Sequence, residues 1–275
     1  MTVQEALLQA TQKLRASTSA ALDAELLIAF VLRASKEFLF THPEHKLNPA
    51  QQIKFARLLR RRQKREPIAY ILGHKEFFGL DFFVNKNVLI PRPETELLVA
   101  EVVQLMSGKK QPKIVDIGVG SGAVAVALKH LFPRAKVYAT DSSRRALHVA
   151  KKNARAHKTS INFKSGSLLS PFSKVRFDCI VSNPPYLTAQ EMKHPDLQFE
   201  PKAALYGGRA GLEIYQRLLV QAASQLGPKG YLVLEIGHNQ AKPLGRLAKK
   251  LWPKARLQVK KDLAGFNRVM IIQPF

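Results

Sequence analysis

Residues 177–186 read Phe-Asp-Cys-Ile-Val-Ser-Asn-Pro-Pro-Tyr, an apolar run that stops at an amide, two prolines and an aromatic ring. A short apolar run bounded by prolines has the pattern of a buried strand. The four residues after it have little conformational choice. Pro184 and Pro185 lack a backbone N–H and hold φ at about −65°, and Asn183, standing before a proline, is kept out of the α region. The expected result is a stiff turn at the carboxyl end of a strand. It displays one side-chain amide, carbonyls without neighbouring donors and one flat ring, a set suited to holding a planar polar group.

A strand ending in such a turn fits the pattern of the chain around it. From residue 108 onward, strands are expected at 113–118, 136–140, 161–164, 177–183, 231–236, 256–260 and 268–272, with helices at 122–131, 144–157, 212–226 and 241–251. Residues 261–266 are too short for a crossover helix, so the last two strands are expected to be antiparallel. This alternation predicts the α/β class, a doubly wound sheet with one reversed strand. Ligands of such sheets bind beyond the carboxyl ends of the strands, at the topological switch point.

The region before it differs. Apolar residues in 2–35 and again from Pro49 to about Lys64 follow a helical period, which predicts a small helical domain over 1–75. The run 60–65, Arg-Arg-Arg-Gln-Lys-Arg, reads more simply as a solvated helix end than as a contact for an acidic partner. Residues 76–90 read as a β-hairpin linker and 91–275 as the sheet domain. Within the linker, two short strands are expected across 76–89. Beyond it, Pro91 and Pro93 keep the chain extended, and Pro93 suits a first helical position, with Glu94 and Glu96 in the first turn.

Two motifs point to a nucleoside cofactor. Asp116, Gly118, Val119, Gly120, Ser121 and Gly122 lie where a strand turns into a helix, and glycines there let a ligand approach the main chain. Asp141 ends the next strand and can accept hydrogen bonds from both hydroxyls of a ribose. The plainer alternative is a glycine-rich turn with a capping aspartate. The glycine spacing departs from the dinucleotide fingerprint, and Asp116 would repel a pyrophosphate. S-adenosyl-L-methionine, with an amino group, a sulfonium and no phosphate, fits better.

With a methyl donor over the earlier strands, Asn183, Pro184, Pro185 and Tyr186 would stand beside the transferable methyl group. An amide nitrogen is a poor nucleophile because its lone pair is delocalised. The Asn183 side-chain oxygen and the Pro184 carbonyl form an acceptor pair for both N–H groups, and Tyr186 can stack on the planar group. Positioning and electrostatics then carry the reaction without a strong base.

Composition narrows the setting. With 44 lysines and arginines against 20 acidic residues, the net charge is +24, spread along the chain. Such an excess favours polyanionic partners, so direct nucleic-acid binding is possible but not required. No apolar run reaches the ~20 residues of a membrane span, and Met1 to Leu7 show no secretory pattern. Cys179, the single cysteine, sits in an apolar strand and reads as a core residue of a reduced, cytoplasmic protein. No histidine–glutamate or cysteine pattern predicts a metal site.

On these motifs the chain resembles the HemK-type protein-(glutamine-N5) methyltransferases. The matching pieces are residues 88–96, 116–122, Asp141, 183–186, Glu200-Pro201, Ala204-Leu205, Gly207-Gly208, Gly211-Leu212, 234–237, Asp262, Gly265 and Arg268. The resemblance implies a seven-stranded, Rossmann-like methyltransferase domain behind a small helical bundle and a hairpin. It implies S-adenosyl-L-methionine as cofactor and the glutamine of the Gly-Gly-Gln loop of peptide-chain release factors as substrate. By the same resemblance, 118–122 hold the methionine part, Asp141 the ribose, and Asn183 to Tyr186 the glutamine amide, with Asn183 also among the cofactor-binding residues; Leu168 can pack on the adenine. The chain departs from the family at 165–168, where Ser-Gly-Ser-Leu replaces a segment carrying an acid, and at Ala210, where an aspartate is usual. The alternatives are a glutamine methyltransferase acting on a ribosomal protein and an adenine-N6 methyltransferase acting on DNA or RNA. Base chemistry calls for a domain that flips and reads the base, and only the ~75-residue helical part is available for it.

Overall fold

The computed structural model describes residues 1–274 and divides into two compact units, Met1–Gly73 and His74–Phe275. In the first unit, five helices run α1 (Val3–Lys13), α2 (Ala20–Leu32), α3 (Lys36–Thr41), α4 (Pro49–Gln63) and α5 (Ile68–Leu72). Two of them open on reciprocal caps, Thr2 with Glu5 and Asn48 with Gln51, which satisfy amides that a helix start leaves free. Leu27, Ile28, Leu39, Phe55 and Leu58 form the centre of the core. The cationic run at the end of α4 only partly faces water. Arg62 donates to the buried Asp23 at 2.7 Å and Arg61 to Glu66 at 2.6 Å, so two of these cations hold the bundle together. That corrects the reading of the run as a solvated end.

The second unit opens on a hairpin, β1 (His74–Phe77) and β2 (Leu80–Phe83). It is shorter and earlier than expected, because the turn is only Phe78 and Gly79, with φ of 52° and 74°. Two successive positive φ values give the mirror-image turn that matches strand twist, which closes the hairpin there and leaves 84–92 without strand, turning at Lys86 and Asn87 where the Val88 N–H donates to the Asn85 carbonyl at 3.1 Å. The chain then enters α6 (Glu96–Met106) through a single 3-10 turn, Pro93–Thr95.

The rest alternates as the periodicity predicts: β3 (Lys113–Ile117), α7 (Ala123–Leu131), β4 (Lys136–Asp141), α8 (Arg144–Ala156), β5 (Asn162–Ser165), β6 (Phe177–Ser182), α9 (Glu213–Gln225), β7 (Leu226–Glu235), α10 (Ala241–Leu251), β8 (Arg256–Lys261) and β9 (Asn267–Gln273). The strands form one seven-stranded sheet in the order β5-β4-β3-β6-β7-β9-β8. Pairs from β5 to β7 are parallel, and β9 runs antiparallel between β7 and β8. Successive core residues fall on opposite faces: Cys179, Val181 and Val233 pack with α6, α7 and α8, while Ile180, Leu232 and Leu234 pack with α9 and α10. A sheet covered on both faces needs such near-continuous apolar strands.

β7 begins at Leu226, five residues before the expected strand. Leu226 is buried opposite Phe177, and the register then shifts so that Tyr231 faces Cys179. The residues between them, Gly-Pro-Lys-Gly, make a bulge whose composition reads as a loop.

Candidate active site

The sheet reverses its winding beside β3: the chain moves outward through β4 and β5, then returns to build β6 and β7 on the other side. Ile117 pairs with Ser182 and also with Thr140, so Gly118, Asn183 and Asp141 leave three adjacent strands side by side. This register brings together the three motifs that lie far apart in sequence.

A cavity of about 340 Å³ opens there, lined by Gly118, Gly120, Asp141, Leu168, Asn183, Pro184 and Pro185, with Val88, Leu89 and Arg217 among the other walls. A smaller one of about 60 Å³ adjoins it across Gly118, Gly120, Leu89 and Asn183, and adds Asp116, Val119, Ser121, Arg92 and Thr95. Gly122 and Tyr186 line neither. Gly122 instead lets α7 start close against α8, where a Cβ would stand 3.2 Å from Ala150.

The loop after β3 is held by its neighbour. Gly118 and Val119 both donate to the Thr140 carbonyl at 2.9 Å, and the Gly120 N–H donates to Asp141 at 3.0 Å. The other Asp141 oxygen accepts from Ser143 N–H at 2.8 Å. Each oxygen keeps a lone pair for a ligand. Burial raises the pKa of Asp141 above the usual carboxylate range, with the two N–H groups opposing. Asp116 is almost fully buried and accepts from Ala125 N–H at 3.1 Å, capping the first turn of α7. Burial pushes its pKa up to about 7, opposed by the Ala125 bond and reinforced by the charge of Asp141.

At the far end of the cavity Leu168 takes a left-handed backbone, φ 52°, and its carbonyl accepts from Thr140 Oγ1 at 2.8 Å. Ser167 Oγ accepts from Arg217 at 2.8 Å. The segment that lacks an acid is thus closed by a cation from α9.

The turn after β6 is stiffened from behind. Gln240 donates to the Tyr186 and Gly211 carbonyls at 3.1 and 3.0 Å, and Leu187 exchanges backbone hydrogen bonds with Leu205 and Gly207 at 2.8 and 2.9 Å. Gly207 and Gly211 lie so close that a Cβ on Gly207 would come within 2.5 Å of the Pro185 oxygen and one on Gly211 would collide with that of Tyr186. The glycines at 207 and 211 are therefore required by packing. Below the turn, Asn183 Nδ2 donates to Thr95 Oγ1 at 3.1 Å, Thr95 Oγ1 donates to Glu235 at 2.6 Å, and the Tyr186 hydroxyl lies 3.4 Å from the same carboxylate. The Asn183 Oδ1 and the Pro184 carbonyl accept no hydrogen bond from the described residues. Burial pushes Tyr186 up to about 12, with the Glu235 charge adding. Its ring packs on the core beside α9 and α10.

The 88–96 segment forms the remaining wall. Buried Glu200 accepts from the Ile90 N–H at 3.1 Å and from the Arg92 guanidinium. Thr95, Glu200, Glu235 and Gln240 were not singled out by sequence reasoning, although all but Gln240 lie within its matching segments. The available signal for Glu235 was an acid inside the apolar run 231–236. No group of three or more metal-ligating side chains occurs among the described residues. The single cysteine, Cys179, is buried, and burial raises its thiol pKa far above the usual range.

The comparisons with known proteins cover both units. Residues 5–73 match the family described as PrmC N-terminal domain, and residues 93–198 match the methyltransferase small domain. The release factor glutamine methyltransferase of Koribacter versatilis (strain Ellin345) is 39% identical over 277 residues, spanning 98% of each chain. That of Coxiella burnetii is 38% identical over 273 residues, again 98% of each. Among solved structures, a methyltransferase from Pyrococcus furiosus shares the fold with a TM-score of 0.54 at 21% identity, over 72% of this chain and 90% of that one.

Proposed function

The chain belongs to the release factor glutamine methyltransferase family, and from that premise we propose how its residues divide the work of methylating the glutamine amide of a release factor. The observation that carries the reading is the shared cavity: a glycine loop and a carboxylate on one side, two free amide acceptors on the other. The cofactor end fits S-adenosyl-L-methionine. Asp141 offers two oxygens with spare lone pairs, a Cβ-free backbone at Gly118 leaves open space, and the Asp141 carboxylate at this mouth opposes a pyrophosphate. When bound, S-adenosyl-L-methionine supplies an electrophilic methyl group.

Gly118, Val119, Gly120 and Ser121 hold the methionine part, with Asp116 fixing the loop through the α7 terminus. Asp141 takes the ribose, and Leu168 with the Ser167–Arg217 pair borders the adenine. At the acceptor end Asn183 Oδ1 and the Pro184 carbonyl each accept one N–H of the glutamine amide. That grip turns the nitrogen lone pair towards the methyl group, so alignment supplies much of the rate. Pro185 keeps the turn rigid. Tyr186, which lines neither cavity, is anchored to Glu235 and braces the turn from the core side.

Peptide-chain release factors are the protein partners in this reading, and the site is a cytoplasmic one. No helix among the described residues is long and apolar enough to cross a membrane. Direct contact with nucleic acid is not needed for the chemistry.

The test is incubation with labelled methyl donor and, side by side, a release factor, ribosomal proteins and nucleic acid. Label is expected on the glutamine of the Gly-Gly-Gln loop. Label on nucleic acid with none on the release factor would overturn the reading. Asn183→Ala is expected to lower kcat by about 10²–10³-fold while leaving cofactor affinity within a few-fold; equal loss of both would refute the division of labour.

A further inference from the structure

An asparagine amide has one acceptor end and one donor end of nearly equal size, and only the acceptor end can receive a substrate N–H. Nothing in the Asn183 side chain itself decides which end points into the cavity. The residues behind it do. Thr95 Oγ1 is 2.6 Å from the Glu235 carboxylate, within the range of a hydroxyl donating to an ionised oxygen. Both Thr95 and Glu235 are buried, so the protein groups around them are their main hydrogen-bond partners. A threonine hydroxyl has a single hydrogen. With Glu235 ionised, that hydrogen goes to the carboxylate, Thr95 Oγ1 can only accept, and the group 3.1 Å away on Asn183 must be its NH₂. The oxygen of Asn183 is then the end left for the cavity.

We propose that Glu235 and Thr95 are positioning residues that set the polarity of the Asn183 amide and so keep its oxygen facing the substrate. The inference rests on the proposed role of Asn183 as an acceptor for the glutamine amide and deepens it. The carboxylate acts over two hydrogen bonds: it orders the hydroxyl, the hydroxyl orders the amide, and the amide orders the substrate N–H. Glu235 also lies 3.4 Å from the Tyr186 hydroxyl, so one carboxylate at the end of β7 anchors both polar side chains of the turn. The arrangement joins three distant segments, at 95, 183 and 235, which explains why an acid is kept in a wholly buried position on an apolar strand.

The experiment compares Thr95→Val and Thr95→Ser with the unaltered protein, on a release factor. Valine keeps the shape and removes the hydroxyl; serine restores it. Thr95→Val is expected to lower kcat by about 10²-fold, with a smaller change in KM and unchanged cofactor affinity, and Thr95→Ser to recover most of kcat. A purely structural role for Thr95 would lower thermal stability without this split. In the unaltered protein, NMR of the Asn183 side-chain amide should show one hydrogen-bonded proton. Thr95→Val at wild-type kcat, or an Asn183 NH₂ with no hydrogen bond, would overturn the proposal, and the second reading needs no variant to fold. Failure of the unaltered protein to methylate the glutamine would instead overturn the proposed function, leaving the NMR result to judge the relay.

Discussion

Glu235 sits where a charged group is costly, and its surroundings state how the cost is met. Burial raises its pKa to about 7; the Thr95 hydroxyl and the Arg268 charge oppose this, and Glu94 adds to it. A raised carboxyl pKa favours the protonated folded form, so the associated stability is fully present below about pH 4.5 and is lost as pH rises through about 7. A shift from 4.5 to about 7 corresponds to roughly 3–4 kcal/mol. Glu235→Gln is therefore expected to be less stable than, or equal to, the unaltered protein near pH 5 and to gain on it by up to that amount by pH 8. Denaturant midpoints measured across this range would check it; parallel curves would show that the carboxylate is not strained. At this scale the sequence displayed the residues to which we assign the chemistry. Asn183 and Asp141 carry their chemistry in their identity and their place at strand ends. Thr95 and Glu235 do not, because a hydroxyl and an acid acquire a role only from what they face.

Among the elements, two contacts decide how well the site is held. The first is the close approach of 207–211 to the turn after β6. Gly211 has φ of 68° and would place a Cβ against the Tyr186 carbonyl, whereas Gly79, with φ of 74°, has nothing within 4 Å. Gly79→Ala is expected to cost about 1–2 kcal/mol of backbone strain and to leave kcat unchanged. Gly211→Ala bears the same strain plus displacement of the turn, and should lower kcat at least tenfold. Steady-state kinetics on the pair separates strain from collision. The second is Asn153 on α8, which is buried and bonds the Phe83 N–H, the Phe83 carbonyl and the Ser121 carbonyl, all within 2.8–2.9 Å. It ties the hairpin and the glycine loop to one helix. Asn153→Leu would strand these backbone groups and is expected to destabilise by about 3 kcal/mol, measurable by denaturant unfolding. The helices were legible because periodicity and caps are local. The bulge of β7 was not, since Gly-Pro-Lys-Gly reads as a loop and only the pairing of Leu226 with Phe177 makes it part of a strand.

Across the whole molecule, the proposed site residues converge at one end of the second unit's sheet, where β3, β4 and β6 end together. Ligand binding should stabilise that region by mass action, by about 2.7 kcal/mol at a hundredfold excess over Kd. Hydrogen exchange with S-adenosyl-L-methionine is expected to slow most at 116–122, 140–143 and 183–186; uniform slowing without this focus would contradict the assigned cavity. The sequence by itself determined the class of fold, the two motifs that face each other and the stiffness of the Asn183 turn, since strand periodicity, glycine and proline act through neighbours along the chain. The tertiary structure alone decided the register that sets Gly118, Asp141 and Asn183 abreast, the conversion of Arg62 from a surface charge to a partner of Asp23, and the orientation of the turn's amide. The last two depend on pairs 39, 88 and 140 residues apart, and a hydrogen bond has no signature in sequence until folding brings its two ends within about 3 Å.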